Sequence, residues 1–124
     1  NKNKKNMLFS EKYMDAQILL SDNKNIEAKY VYEELIKSKN KFYSVLALNT
    51  IIENDLEKDS AKILDYFKIV EKIINEPEQK DLIYFKKALY LIKISKISEG
   101  KKILRELSDK DSKFKFMADE ILAE

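Results

Sequence analysis

The chain has 124 residues, a length suited to one domain, and 44% of them are hydrophobic, a globular rather than a disordered proportion. It contains no Cys, no His, one Gly and one Pro, which excludes disulfides, thiolate nucleophiles and Cys-ligated zinc, the commonest general base, and the glycine-rich phosphate and dinucleotide loops. The net charge is +2, but the opening NKNKKN holds three Lys and no acid; the remainder carries 21 basic against 22 acidic residues, with Arg105 the single Arg, so nothing marks a nucleic-acid-binding surface.

In chain order, apolar residues recur at three and four, the period of an amphipathic helix. Residues 1–6 read as a flexible linker or tail, and Lys2, Lys4 and Lys5 in it could also meet anionic headgroups if a membrane anchor preceded Asn1. From residue 7 to 124 we expect one helical domain. Its first helix spans about Met7–Leu20 and its second about Ile26–Lys37, the polar turn SDNKN placing Asn25 as a cap. The third runs over about Lys41–Asn54 and the fourth over about Ser60–Asn75, capped by Asp59. The stretch NEPEQKD then breaks the chain, Pro77 suiting a first helical turn and disfavouring helix at Glu76. A fifth helix covers about Glu78–Ile94, a sixth about Ser98–Leu107 with Ser98 as cap, and a seventh about Ser112–Ala123, capped by Asp111 or Ser112. The connections are short, so consecutive helices should fold back on one another.

Small residues recur within this plan. Ala28, Ala61 and Gly100 open the second helix of successive pairs, 33 and 39 residues apart, and Ala16 and Ala88 each lie 12 residues before Ala28 and Gly100. Two small residues facing each other let the helices of a hairpin approach closely. Period and spacing resemble the tetratricopeptide repeat (TPR). The stretch AQILLSDNKNIEAKYVYEEL is a good unit and ALYLIKISKISEGKKILREL another, while the middle unit is degenerate. The expected fold is therefore all-α: a TPR-like right-handed superhelix of about three antiparallel pairs plus a C-terminal capping helix.

Four stretches carry a closer likeness: AQILLSDNKNIEAKYVYEELI, FYSVLALNTIIENDLEKDSA, DLIYFKKALYLI, and KFKFMADEILAE after KKILREL. Together they make the chain resemble the periplasmic domain of the ancillary Sec-translocon subunit family of bacteria, in which a divergent TPR-like domain follows a membrane anchor. That resemblance implies a bacterial periplasmic or cell-envelope location, although composition alone suits the cytoplasm equally. It also implies a chaperone-like or translocon-associated role, unfolded or exported clients and translocon components as partners, and no catalysis. Membrane attachment would come only through an anchor upstream of Asn1. Neither a catalytic residue, a cofactor nor a metal site is expected.

Counting TPR positions from Ala28 and Gly100 puts Tyr13, Gln17 and Leu20, then Tyr43, Leu46 and Thr50, then Phe85, Leu89 and Ile92 on the groove side of the first, third and fifth helices. The expected binding groove is Tyr13, Gln17, Tyr43, Leu46, Thr50, Phe85 and Leu89. Tyr13 with Gln17, Leu46 with Thr50, and Phe85 with Leu89 are each four apart and share a helix face. Aromatics at helical spacing usually pack inside, so the competing reading, favoured for any one of these residues, is core between adjacent hairpins. The acidic pairs Glu33–Glu34 and Asp119–Glu120 point to different sides of their helices, so they form no shared carboxylate site, while Glu33 and Lys37 are spaced for an ion pair. The functional expectation is a non-catalytic protein-binding module; the alternative is a structural, oligomerising helical domain of a membrane-anchored assembly.

Overall fold

The computed structural model describes the backbone from Lys2 and the side chains from Leu8 to Glu124. The sequence led us to expect a tail over residues 1–6 and a first helix from about Met7, but the backbone is helical from Lys2 onward, so α1 begins five residues earlier than expected; Asn1 lies outside the described residues. Seven helices and no strand occur among the described residues: α1 (Lys2–Ser21), α2 (Asn25–Lys37), α3 (Lys41–Glu53), α4 (Ser60–Ile73), α5 (Pro77–Lys93), α6 (Ile97–Asp109) and α7 (Lys115–Ala123). The all-α class expected from the sequence is thus the class observed. Among the described residues no helix is long and apolar enough to cross a membrane. The chain divides into two compact units, Asn1–Ile73 and Ile74–Glu124.

In the first unit α1 packs on α2 and α2 on α3, while α4 touches both α2 and α3. Its core is built from Ala16, Ala28, Tyr32, Leu35, Ile36, Ala47, Leu48, Ile51, Ile63 and Phe67, all essentially inaccessible to solvent. In the second unit α5 packs on α6 and α6 on α7. Phe85, Ala88, Leu104, Leu107 and Ala118 form its centre, with Ile92, Phe114 and Leu122 closing around them.

The turns explain how a chain with one glycine folds back so often. Asn23, Lys39, Asp55, Ser95 and Asp111 all adopt positive φ, between 53° and 68°, and each ends a helix. Around four of them the backbone closes the same way. Lys24, Leu56, Lys96 and Ser112 donate their N–H to the carbonyls of Leu19, Ile51, Leu91 and Leu107, five residues back, which is the Schellman closure of a helix end. Asn and Asp tolerate this conformation better than most residues. Lys39 does not, and its side chain is exposed. Lys39→Gly should therefore raise the stability of the protein by about 0.5–1 kcal/mol in chemical denaturation, the relief of left-handed strain exceeding the added freedom of the unfolded chain.

These closures also correct two expected caps. Asn25 and Ser98 do not cap α2 and α6. The residues before the helices, Lys24 and Lys96, hold φ −90°, ψ 63° and φ −89°, ψ 62°, with no side-chain cap. The cap positions themselves fall on Lys24 and Lys96, one residue before the Asn and two before the Ser expected there, and a lysine side chain carries no acceptor for the first-turn N–H groups. The two hairpin turns are geometrically the same, and Ala28 and Gly100 follow at equal distance, each donating its N–H to that Lys carbonyl. Ala16, Ala28 and Ala88 are 0% exposed and Gly100 is buried, so both small pairs sit where the helices of a hairpin meet.

Other caps follow the sequence or escape it. Asp59 Oδ1 accepts the Ala61 N–H at 2.9 Å, as expected, and Pro77 takes the first position of α5. Asn40, not anticipated, caps α3 by accepting from Phe42 N at 3.1 Å and Tyr43 N at 2.9 Å. Ser112 holds a turn ahead of α7, accepting from Phe114 N at 3.1 Å, so that helix starts three residues late. Ala61 is the failed member of the small-residue series. It is exposed, because the longer Asn54–Asp59 connection carries the start of α4 clear of α3, and α3 packs more extensively on α2 than on α4.

Candidate functional site

Five of the seven expected groove residues lie in the first unit, and the structure brings several of them into direct contact. The α1 hydroxyl of Tyr13 hydrogen-bonds the α3 hydroxyl of Thr50 at 3.0 Å. Thr50 in turn donates to the Leu46 carbonyl at 2.9 Å. Tyr13 sits between two other rings, with centroids 5.7 Å from Tyr32 and 6.1 Å from Tyr43. Tyr43 meets Phe42 edge-on at 4.9 Å and 87°. Four rings from three helices thus form a row, Tyr32–Tyr13–Tyr43–Phe42. It starts in the core, where Tyr32 is 0% exposed, and ends in solvent, where Phe42 is 65% exposed.

Polar groups accompany the row. Tyr32 donates to Gln17 Oε1 over 3.5 Å, a long contact, and burial first, then the neighbouring Tyr13, pushes its phenol up to about 12. Gln17 itself is exposed, and Leu20, Tyr43 and Leu46 are half-buried. Tilted ring pairs of this kind add roughly 0.5–1.5 kcal/mol each beyond their burial. The row is therefore stiff at its inner end and free at its outer end.

Phe85 and Leu89 belong to the second unit and differ from each other. Phe85 is 8% exposed and stacks on Phe114 at 5.3 Å and 17°, which makes it a core residue of α5 against the turn that leads into α7. Leu89 is 41% exposed. Ile92 is half-buried and lies over Gly100. Sequence counting left Tyr32 and Phe42 out of the first-unit cluster. The signal for Phe42 was its place beside Tyr43, one position out of phase with the buried face of α3.

A second, charged network ties α2 to α4. Glu57, buried in the connection before α4, lies 3.6 Å from Lys29 and 4.0 Å from Lys62, and accepts the Asp59 N–H at 3.0 Å. Tyr66 donates to Glu33, which also faces Lys37 at 3.7 Å, the expected pair four residues apart. The Tyr66 hydrogen bond holds Glu33 below its ordinary 4.5, against burial and with help from Lys37, Lys62 and Lys29. Burial first, then the bond to Glu33 and the charges of Glu33, Glu57 and Asp59, pushes the Tyr66 phenol well above its ordinary 10.0.

Both shifts predict how stability varies with pH. Glu33 ionises at lower pH folded than unfolded, so its contribution is present above 4.5 and drains away as pH falls below that. Tyr66 ionises at higher pH folded, so its contribution is present below 10.0 and is lost as pH rises through the folded value. Tyr66→Phe should flatten both limbs of a stability-versus-pH curve. An acid limb as steep as in the wild type would show that other carboxylates govern it.

Among the described residues no group of acidic side chains could hold a metal ion. No protein-family model, curated protein or solved structure matches the chain.

Proposed function

We propose that the chain is a non-catalytic protein-binding module, an envelope accessory factor that holds exported, unfolded clients near the Sec translocon. A TPR-like superhelical stacking of its helix pairs is part of the same proposal. The observation that carries it is the aromatic row, whose inner end is packed and whose outer end, Phe42, is offered to solvent. A preformed aromatic edge can take up an apolar client side chain with little loss of its own freedom. Beside it exposed Gln17 supplies a neutral polar group for the client's backbone, while Thr50, buried and bonded to Tyr13 and the Leu46 carbonyl, serves to hold the row in place. Such a mixture favours permissive contacts over recognition of one charged motif, at micromolar affinity, about −8 kcal/mol.

The test uses Phe42→Ser, a substitution at an exposed position that leaves the buried rings in place. A fluorescent unfolded peptide rich in aromatic and aliphatic residues should bind the wild type in the micromolar range. It should bind the variant at least about fivefold more weakly, a loss on the scale of one exposed anchor. Cross-linking in envelope extracts should lose the same partners. Equal binding by Phe42→Ser with an unchanged melting temperature would remove the row as the contact face. Light scattering addresses the structural alternative: a monomer of 14.7 kDa favours the module, and a stable oligomer that hides Phe42 favours the assembly.

A further inference from the structure

We propose that the α2–α4 face of the first unit is a second recognition surface, built for an acidic peptide segment carrying an apolar anchor. An open depression of about 480 Å³ lies there, wholly within this unit. Lys37 of α2 and Lys62, Lys68 and Lys72 of α4 line it, together with Glu33, Asp65, Tyr66 and Ile69. Four lysines thus line it with two carboxylates, and Lys62 also reaches the buried Glu57 at 4.0 Å, which leaves Lys68 and Lys72 as the excess. One of the two lining carboxylates, Glu33, is already engaged by the Tyr66 hydroxyl and by Lys37. Lys37 and Lys62 keep more than half their side-chain surface in solvent, at 61% and 52%. Lys68 and Lys72 are exposed, and among the described residues neither forms an ion pair. Outside the tail the chain carries slightly more acid than base, so this cluster is a local departure from the balance of the surface.

Volume and lining indicate the kind of occupant. A depression of this size accepts a few side chains rather than a folded partner. Half-buried Ile69 and the Tyr66 ring are apolar parts of its lining, and lysine stems can cover apolar surface while their heads stay in water. An acidic segment with one aliphatic or aromatic residue between its carboxylates satisfies both parts. Nucleic acid fits less well: no Arg lines the depression, and Glu33 and Asp65 would oppose a continuous phosphate chain, whereas a peptide can space its acids to avoid them. A flat bilayer cannot follow a concave surface. The lysines steer association and set specificity, so the interaction should weaken steeply with salt.

The probe is a labelled peptide of Glu pairs separated by single Leu residues, with a Gln-for-Glu peptide as its match. Fluorescence anisotropy at low salt should show binding of the Glu peptide and little of the Gln peptide. Lys68→Glu with Lys72→Glu should weaken binding at least about tenfold, as for charges placed against a charged ligand. The gentler Lys68→Gln with Lys72→Gln, retaining full helix content, should reproduce most of that loss. Lys93→Glu with Lys102→Glu, the same charge change in the second unit, should leave affinity within about twofold. Phe42→Ser should bind the Glu peptide normally, which separates this surface from the aromatic row. Unchanged binding by both Lys68/Lys72 variants, equal binding of the Gln peptide, or tighter binding of a single-stranded oligonucleotide than of the Glu peptide would each overturn the proposal.

Discussion

Tyr32→Ala should destabilise the protein by about 3–5 kcal/mol, the range for deleting a fully buried aromatic side chain. Tyr32 is 0% exposed and belongs to the same buried stripe of α2 as Ala28, Leu35 and Ile36. Its ring also supports Tyr13 at 5.7 Å, and through Tyr13 the remainder of the row. Removing it leaves a cavity that Ala16 and Ala28, with no side chain to rearrange, cannot fill. Small domains are stable by only about 5–15 kcal/mol, so the variant should lose a large share of its stability. Tyr32→Phe separates packing from hydrogen bonding. It loses only the 3.5 Å contact to Gln17 and should cost under about 1 kcal/mol. Urea denaturation of both variants checks the pair. A loss below 1 kcal/mol for Tyr32→Ala would mean that Tyr13 swings into the vacated space, and the row would then not be a rigid feature of the unit.

Gly100→Ala tests close helix approach in the second unit, where two principles oppose each other. Helix propensity alone predicts a gain of about 1 kcal/mol, since Gly100 lies inside α6. Packing predicts a loss. A Cβ at position 100 would stand 2.7 Å from Ile92 Cγ1 and 2.8 Å from the Ala88 carbonyl oxygen. The isoleucine can turn aside, but the carbonyl belongs to the backbone of α5, so the two helices must separate. We expect overpacking to win and the net change to be a loss of about 1–3 kcal/mol, with Gly100→Leu worse. Ala28→Phe in the first unit should lose a similar amount for the same reason. Thermal unfolding reads all three. A rise in melting temperature for Gly100→Ala would show that α5 and α6 yield easily and that Gly100 is not required there.

Much of the helical plan was legible because its causes are local. Apolar spacing, the scarcity of Gly and Pro, and Pro77 at the start of α5 act within a few residues, through hydrogen bonds that each helix makes with itself. The pairing of Ala16 with Ala28, and of Ala88 with Gly100, was legible for a related reason. A tight turn fixes which residues of a hairpin face each other, so their separation along the chain carries the contact. The same reasoning failed for Ala61, where a longer connection releases that geometry. It failed again for Asn25 and Ser98, because each helix starts earlier than expected and a lysine without an acceptor, Lys24 or Lys96, holds the cap position.

The candidate surfaces depended on contacts that no local rule contains. Tyr13 and Thr50 share a helical period with many half-buried residues, and only the approach of α1 to α3 joins their hydroxyls. Phe85 and Leu89 are four apart and equally apolar, yet Phe114 covers one and leaves the other in solvent. The lysines of α2 and α4 read along the chain as ordinary solvated charge, mixed with acids. They become a cluster only when Glu57, Glu33 and Tyr66 hold those two helices side by side. Periodicity states that a residue lies on a face; which face meets which is set by burial free energy summed over helices far apart in the chain.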